Sequence, residues 1–173
     1  MSRPEKGSDH RAPDNKRAPD KRAMRGAARF YAVQALFQME KSGQTVEQVR
    51  REFETHRIGA ETGEEGEAWV EADAGFFGKL VDGAVNHQAR VDQMTDRALV
   101  AKWPIARIDP TLRALFRAAG AEMMQEATPP RVVITEYVQI AQAFFPEGRE
   151  VPLVNAVLDH MAREAQPDAF GAR

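Results

Sequence analysis

The sequence predicts an all-α protein, a compact bundle of about seven helices that is preceded by a disordered basic tail. Three observations lead to this prediction. Apolar residues recur at intervals of three and four in successive segments from residue 22 onward, which is the spacing that gives a helix one apolar face. No segment shows the period-two alternation that is typical of a half-buried strand. Short stretches rich in glycine, proline or charge separate the periodic segments, as expected for a bundle with short connections.

The first two helices follow from clear start and stop signals. The apolar stripe of residues 22–41 ends at Ser42-Gly43, and a glycine commonly terminates a helix. Thr45 then precedes a second amphipathic segment over about 45–55, and its hydroxyl suits the N-cap position. Residues 56–66 are acidic and contain three glycines, so we expect a loop there.

The middle of the chain predicts three more helices. Two of them are expected at about 67–87 and 89–101, with Leu80 and Val91 on their inner sides, and the alternative is one kinked helix over both segments. The connector WPIARID, residues 103–109, ends at Asp109-Pro110. An N-cap residue followed by proline at the first helical position predicts a helix over 110–126.

The last two helices are bounded by prolines and a loop. Pro129-Pro130 interrupts the chain, and residues 131–145 follow with apolar side chains at helical spacing. The segment PEGRE, residues 146–150, separates this helix from a final one over about 151–165. Val154, Leu158 and Met161 share one face of that last helix.

Composition and charge set the domain boundaries. Residues 1–20 hold three prolines and almost no apolar side chain, so they bury too little surface to offset chain entropy, and we expect a disordered tail. Residues 21–166 form the helical domain, and 167–173 form a C-terminal tail.

Residues 1–29 carry nine Lys or Arg against four acids, whereas 52–73 carry eight acids against one Arg. The basic end favours a polyanionic partner, nucleic acid first, and the alternative is a tail that only aids solubility.

The residue inventory argues against catalysis and metal binding. The chain has no cysteine, its three serines lie at positions 2, 8 and 42, and its four histidines are widely separated. No metal-ligand spacing and no glycine-rich phosphate loop occurs. We therefore expect no catalytic residue, no metal, no cofactor and no small-molecule substrate. The sequence contains no apolar run of about 18 residues, so it predicts no membrane helix. It shows no secretory signal either, so the cytoplasm is the default location.

Four segments carry a resemblance to a known family. They are AARFYAVQALFQME (27–40), VDGAVNHQARVDQMTD (81–96), LFRAAGAEM (115–123), and PPRVVITEYVQIAQAFF followed by LVNAVLDHMA (129–162). In this order, and over about residues 22–165, they resemble the NusB family of transcription antitermination factors. The sequence departs from the family pattern at Gly120, where a larger apolar residue is usual. The basic segment of the first helix is also less dense than in the family, because it is interrupted by the uncharged residues Gly26, Ala27 and Ala28.

The resemblance implies an all-helical, non-enzymatic protein that binds the boxA element of ribosomal RNA leader transcripts together with NusE, a small-subunit ribosomal protein. The complex loads onto RNA polymerase in this family and suppresses premature termination. The arginine-rich start of the first helix contributes to RNA binding, which carries over by position to Lys21, Arg22, Arg25 and Arg29. Phe37 falls where the family has an aromatic residue at the NusE surface.

Arg22, Arg25 and Arg29 lie in line with Val33 on the core-facing side of the first helix, because residues three and four apart share a face. We therefore expect the first two turns of this helix to extend past the edge of the core. The arginines would then face phosphate rather than protein, and arginine suits unpaired RNA because its plane stacks on bases and its fork binds phosphate.

Three alternatives stay open at this point. The same helical fold occurs as the RNA-binding domain of rRNA cytosine methyltransferases, but only about 8 residues follow the last predicted helix, so we expect no catalytic domain. A helical adaptor would bind proteins through the bundle and the acidic 52–73 stretch, without RNA and without need of the basic residues. A homodimer would occlude its own interaction face.

Overall fold

The computed structural model describes residues 20–58, 71–99 and 104–171. Over these residues the chain forms seven α-helices and no strand, which confirms the predicted all-α class. Residues 1–19 of the expected tail and most of the expected loop over 56–66 lie outside the described residues, whereas Asp20, counted with the tail, caps the first helix. The helices are α1 (Lys21–Ser42), α2 (Val46–Phe53), α3 (Ala74–Asn86), α4 (Gln88–Ala98), α5 (Pro110–Gln125), α6 (Pro130–Phe144) and α7 (Val151–Ala165).

Polar caps start several of these helices where the sequence predicts them. The Thr45 hydroxyl accepts a hydrogen bond from the backbone N–H of Gln48, and the Gln48 side chain accepts one from the backbone N–H of Thr45. Asp109 caps α5, and Pro110 takes the first helical position. Each cap satisfies backbone donors that the first turn of a helix leaves unpaired.

Three predicted boundaries are wrong, and one of them is the end of the helix predicted over 89–101, which ends at Ala98. The helix predicted to begin at residue 67 begins at Ala74, because the Asp73 carboxylate accepts a hydrogen bond from the backbone N–H of Phe76 and acts as the N-cap. The second helix ends as an α-helix at Phe53 and continues as a single π-helical turn over Glu54–Ile58. In the segment expected as a C-terminal tail, Pro167–Phe170 form a 3-10 turn.

Helix α5 lies at the centre of the bundle and packs against α1, α3, α4, α6 and α7. It is buried on nearly all sides, and many of its buried residues are small. Small side chains let neighbouring helices approach closely, and larger apolar side chains fill the remaining space to the density of a close-packed core. The small buried residues of α5 are Ala114, Ala118, Ala119, Gly120 and Ala121.

Aromatic side chains pack the middle of α1 onto its neighbours. The ring of Phe30 stacks on Phe144 of α6 with 4.9 Å between centroids. Tyr31 meets Phe53 of α2 edge to face at 6.4 Å. Burial of α1 begins at Ala28, whereas its first three residues are exposed. The amino-terminal end of α1 therefore lies at the edge of the bundle.

A cluster of charged residues ties the other end of α1 to α4 and α5. Arg113 of α5 hydrogen-bonds the Glu40 carboxylate, and Arg117 lies 3.3 Å from Glu40 and 2.9 Å from Asp92 of α4. The hydrogen bond from Arg113 holds the pKa of Glu40 below its ordinary value. These ion pairs fix the register of the three helices at this end.

Gly120 lies where Val91 of α4 packs against α5. A Cβ atom at this position would lie 2.3 Å from Cγ1 of Val91 and 3.3 Å from Cε of Met161. The first distance is far inside van der Waals contact, so Val91 packs directly on the α5 backbone. The neighbouring side chains therefore leave no room for a side chain at position 120.

We expect Gly120→Ala to lower the free energy of unfolding by about 1–3 kcal/mol, because an added methyl group overpacks a filled core. Val91→Ala makes room for that methyl, so the double variant should be more stable than the sum of the two single losses indicates. Urea denaturation of the four proteins measures this coupling. Additive losses would show that Val91 does not limit the residue at position 120.

Candidate nucleic-acid interface

The four residues expected to contact RNA become progressively more buried along α1. Lys21 and Arg22 are exposed, and the Arg22 side chain keeps 80% of its accessible surface. Arg25 is half-buried, and the Arg29 side chain is only 3% exposed. The helical period places Arg22, Arg25 and Arg29 on one face, as predicted. That face is already buried at Arg29, whereas we expected all three arginines to lie beyond the edge of the core.

Arg29 corrects the sequence-based expectation, because it faces a carboxylate inside the bundle and not solvent. Its Nη2 lies 2.7 Å from Oε1 of Glu122, whose side chain is 1% exposed, and its Nε lies 3.0 Å from Oε2. Glu136 of α6 adds a second carboxylate 3.7 Å from Nη1. Arg29 therefore joins α1, α5 and α6 and is not available to phosphate.

The protonation states of this buried cluster follow from burial and charge. Burial opposes the charge on Arg29, but the hydrogen bonds that Arg29 donates to Glu122 and the nearby negative charges outweigh it and raise the pKa of Arg29. Burial next to Glu122 raises the pKa of Tyr137 well above its ordinary value. The guanidinium is therefore charged and the phenol neutral at all physiological pH values.

Arg25 is held in place by neutral groups. Its guanidinium carbon lies 4.2 Å from the centroid of the Phe76 ring, and its Nη2 donates a hydrogen bond of 3.3 Å to Oγ1 of Thr128. Thr128 in turn donates to Oε1 of Glu122 at 3.0 Å. Within the described part of the chain Arg25 makes no ion pair with an acid. The result is an oriented cation with unused N–H donors.

A groove opens between the start of α1 and the start of α6, and we call it the α1–α6 groove. Its volume is about 570 Å³. The α1 side is cationic, and the α6 side combines the apolar Pro129 and Val132 with the Glu136 carboxylate, which already lies close to arginines of α1. A cationic wall beside an apolar one suits a phosphate next to a nucleobase. The residues that line it are Lys21, Arg22, Arg25, Arg29, Ala127, Thr128, Pro129, Val132 and Glu136.

Phe76, Thr128 and Glu122 were not singled out as interface residues from the sequence. Glu122 carried a signal, since a carboxylate on the apolar stripe of α5 needs a buried partner. The sequence gives no signal for Phe76 and Thr128, because their role depends on how α3 and the α5–α6 loop pack against α1.

Phe37, the residue expected at a partner surface, is half-buried on α1. It borders a second cavity of about 470 Å³, whose apolar walls include Phe53 and Phe144 and whose rim includes Lys41 and Arg57. Its place at an open cavity leaves part of the ring accessible to a partner. Its role in partner binding stays a prediction.

The described residues contain no group of three or more His, Asp or Glu side chains placed to hold a metal ion. No helix of the described ranges is long and apolar enough to cross a membrane. The fold and this groove together define the described part of the chain as a helical bundle with a cationic groove at one end.

Comparisons with known proteins identify the family. The model of the NusB family matches residues 26–163. The transcription antitermination protein NusB of Rhodopseudomonas palustris (strain BisB18) is 47% identical over 161 residues, which cover 91% of this chain and 94% of that protein. The protein of the same name from Maricaulis maris (strain MCS10) is 49% identical over 148 residues, covering 85% and 91%. The chain belongs to the NusB family, and it is a transcription antitermination factor rather than an enzyme.

Solved structures share the fold. NusB of T. maritima superposes with a TM-score of 0.65 at 25% identity, covering 84% of this chain and 96% of that one. A chain from the crystal structure of the antitermination factors NusB and NusE in complex with dsRNA superposes with a TM-score of 0.64 at 21% identity, covering 80% and 96%. These likenesses confirm the helical topology described above.

We expect Arg29→Met to lower the free energy of unfolding by about 3–5 kcal/mol, because it leaves Glu122 as a buried carboxylate without its main partner. The double variant Arg29→Met/Glu122→Leu removes both charges and should recover most of that loss. Urea denaturation at pH 7 compares the two. A double variant that is less stable than Arg29→Met would contradict the pairing.

Proposed function

We propose that the chain binds single-stranded boxA-type RNA of ribosomal RNA leader transcripts in the α1–α6 groove, together with NusE, and promotes read-through by RNA polymerase. One observation carries the proposal: Arg25 is an oriented cation that opens into the groove and has no acidic partner among the described residues. Relatives that are transcription antitermination proteins support the antitermination role, and the complex of NusB and NusE with dsRNA supports binding of RNA and of NusE. Since transcripts of bacteria are made in the cytoplasm, we propose that location.

The number of phosphate contacts follows from the exposure of the basic residues. Lys21, Arg22 and Arg25 reach the groove with solvent-accessible charge, whereas Arg29 is neutralised by Glu122. Arg22 lies 3.7 Å from Glu136, but an ion pair with so exposed an arginine is weak and is readily exchanged for phosphate. Three contacts at about 0.7 each give a log–log salt slope of roughly −2 for single-stranded RNA.

RNA and NusE are placed at different points along the same helix in this proposal. Phe37 follows Arg25 by a little more than three helical turns, a distance of about 18 Å at 1.5 Å per residue. That separation lets both partners bind α1 at once. NusE bound beside Phe37 would then extend the surface available to the RNA, so each partner should tighten the binding of the other.

We expect the full-length protein to bind a short boxA-like RNA more tightly than a scrambled RNA, and to bind it still more tightly with NusE present. Arg22→Ala/Arg25→Ala should weaken binding and reduce the salt slope to about −0.7, because two of three phosphate contacts are lost. Fluorescence anisotropy across a salt series measures affinity and slope together.

The matched control is Arg149→Ala. Arg149 is 83% exposed and lies in the α6–α7 loop, at the opposite end of α6 from the groove. It should leave the affinity for the boxA-like RNA unchanged. Equal weak binding of the wild type to both RNAs, with no effect of NusE, would instead favour a protein adaptor without specific RNA binding.

A further inference from the structure

We propose that the RNA path continues beyond the α1–α6 groove, over the first turn of α6, onto a second cationic surface. This surface consists of Arg131, Arg163 and Phe170, and we call it the Arg131–Phe170–Arg163 patch. It would bind the phosphate backbone of the same RNA outside the boxA element. The inference rests on the proposed function, since it extends the path of an RNA that is held at Arg25.

Phe170 brings two arginines from different helices together. It ends the 3-10 turn that follows α7, and its half-buried ring packs against the bundle. The guanidinium carbons of Arg131 and Arg163 lie 5.3 and 4.5 Å from the ring centroid. An aromatic ring attracts each cation at such distances, but the two cations repel each other. A phosphate bound to either guanidinium reduces that repulsion.

The charge of the patch is only partly compensated. Arg131 makes no ion pair within the described residues. Arg163 pairs with Asp159 at 2.9 Å, and both side chains are about half exposed, at 54% and 43%. An ion pair in such contact with water contributes little, so phosphate can replace Asp159 at small cost. The patch therefore offers two guanidinium groups to a polyanion.

The patch and the groove are adjacent at the first turn of α6. Arg131 lies between Pro129 and Val132, which both line the α1–α6 groove. Gln166 donates a hydrogen bond of 2.7 Å to the backbone carbonyl of Met123, which holds the end of α7 against the end of α5. The first turn of α6 thus has the groove on one side and the patch on the other.

The chemistry of the patch fits backbone contact rather than base recognition. Two guanidinium forks bind phosphate oxygens of any nucleotide. Such contacts raise affinity and salt dependence without adding sequence preference. The patch should therefore act on RNA that flanks boxA, whatever its sequence.

The test compares three RNAs bound to the full-length protein: a short boxA-like oligonucleotide, and the same oligonucleotide extended at its 5′ or at its 3′ end with unstructured sequence. Arg131→Ala/Arg163→Ala should weaken binding of one extended RNA about tenfold and reduce its salt slope by about 1.4, the value for two contacts. Binding of the short RNA should not change.

The matched control is Arg97→Ala. Arg97 is 53% exposed, like Arg163, and it also pairs with an acid of α7, Glu164. It does not lie on the Phe170 ring and should leave the affinity for all three RNAs unchanged. Phe170→Leu keeps an apolar side chain but removes the ring, and should weaken binding of the same extended RNA by less than the double variant does.

The outcomes separate the two proposals. Unchanged affinity of Arg131→Ala/Arg163→Ala for both extended RNAs overturns the patch, while a loss in Arg22→Ala/Arg25→Ala on the short RNA still supports the groove. An equal loss on all three RNAs also overturns the patch as a flanking site. Failure of the wild type to prefer the boxA-like RNA overturns the proposed function itself.

Discussion

The buried ion pair between Arg29 and Glu122 determines the geometry of the groove end of the bundle. The two side chains are almost fully buried and meet at 2.7 Å. Two charges inside a protein are tolerated only when each satisfies the other and their remaining hydrogen bonds are made. Glu136 and Thr128 make those further contacts. The pair thereby fixes α1, α5, α6 and the loop between the last two relative to one another.

This arrangement explains how one row of arginines has two roles. Arg29 satisfies Glu122, so the carboxylate does not compete for Arg25 one turn earlier. Arg25 is instead held by the neutral groups of Phe76 and Thr128, which orient it without cancelling its charge. An oriented and uncompensated cation loses little entropy when it binds an anion. The groove is therefore pre-organised by interactions that begin in the core.

Helix α1 connects this groove to the rest of the molecule. Its middle is packed by aromatic rings, and its carboxyl end is tied to α4 and α5 through Glu40, Arg113 and Arg117. A helix anchored at both its middle and its end keeps the groove and the Phe37 cavity at a constant separation. Such rigidity is what a protein needs in order to hold two partners at defined positions.

The sequence by itself determined the fold class, the order of the helices and the position of the cationic residues, because apolar period, caps and charge are local properties. It also placed Arg22, Arg25 and Arg29 on one face of α1. Only the tertiary structure decided which of them remain accessible, because the depth at which α1 enters the core depends on Glu122, 93 residues away from Arg29 along the chain. The same holds for Gly120, whose lack of a side chain is required by Val91 of a neighbouring helix.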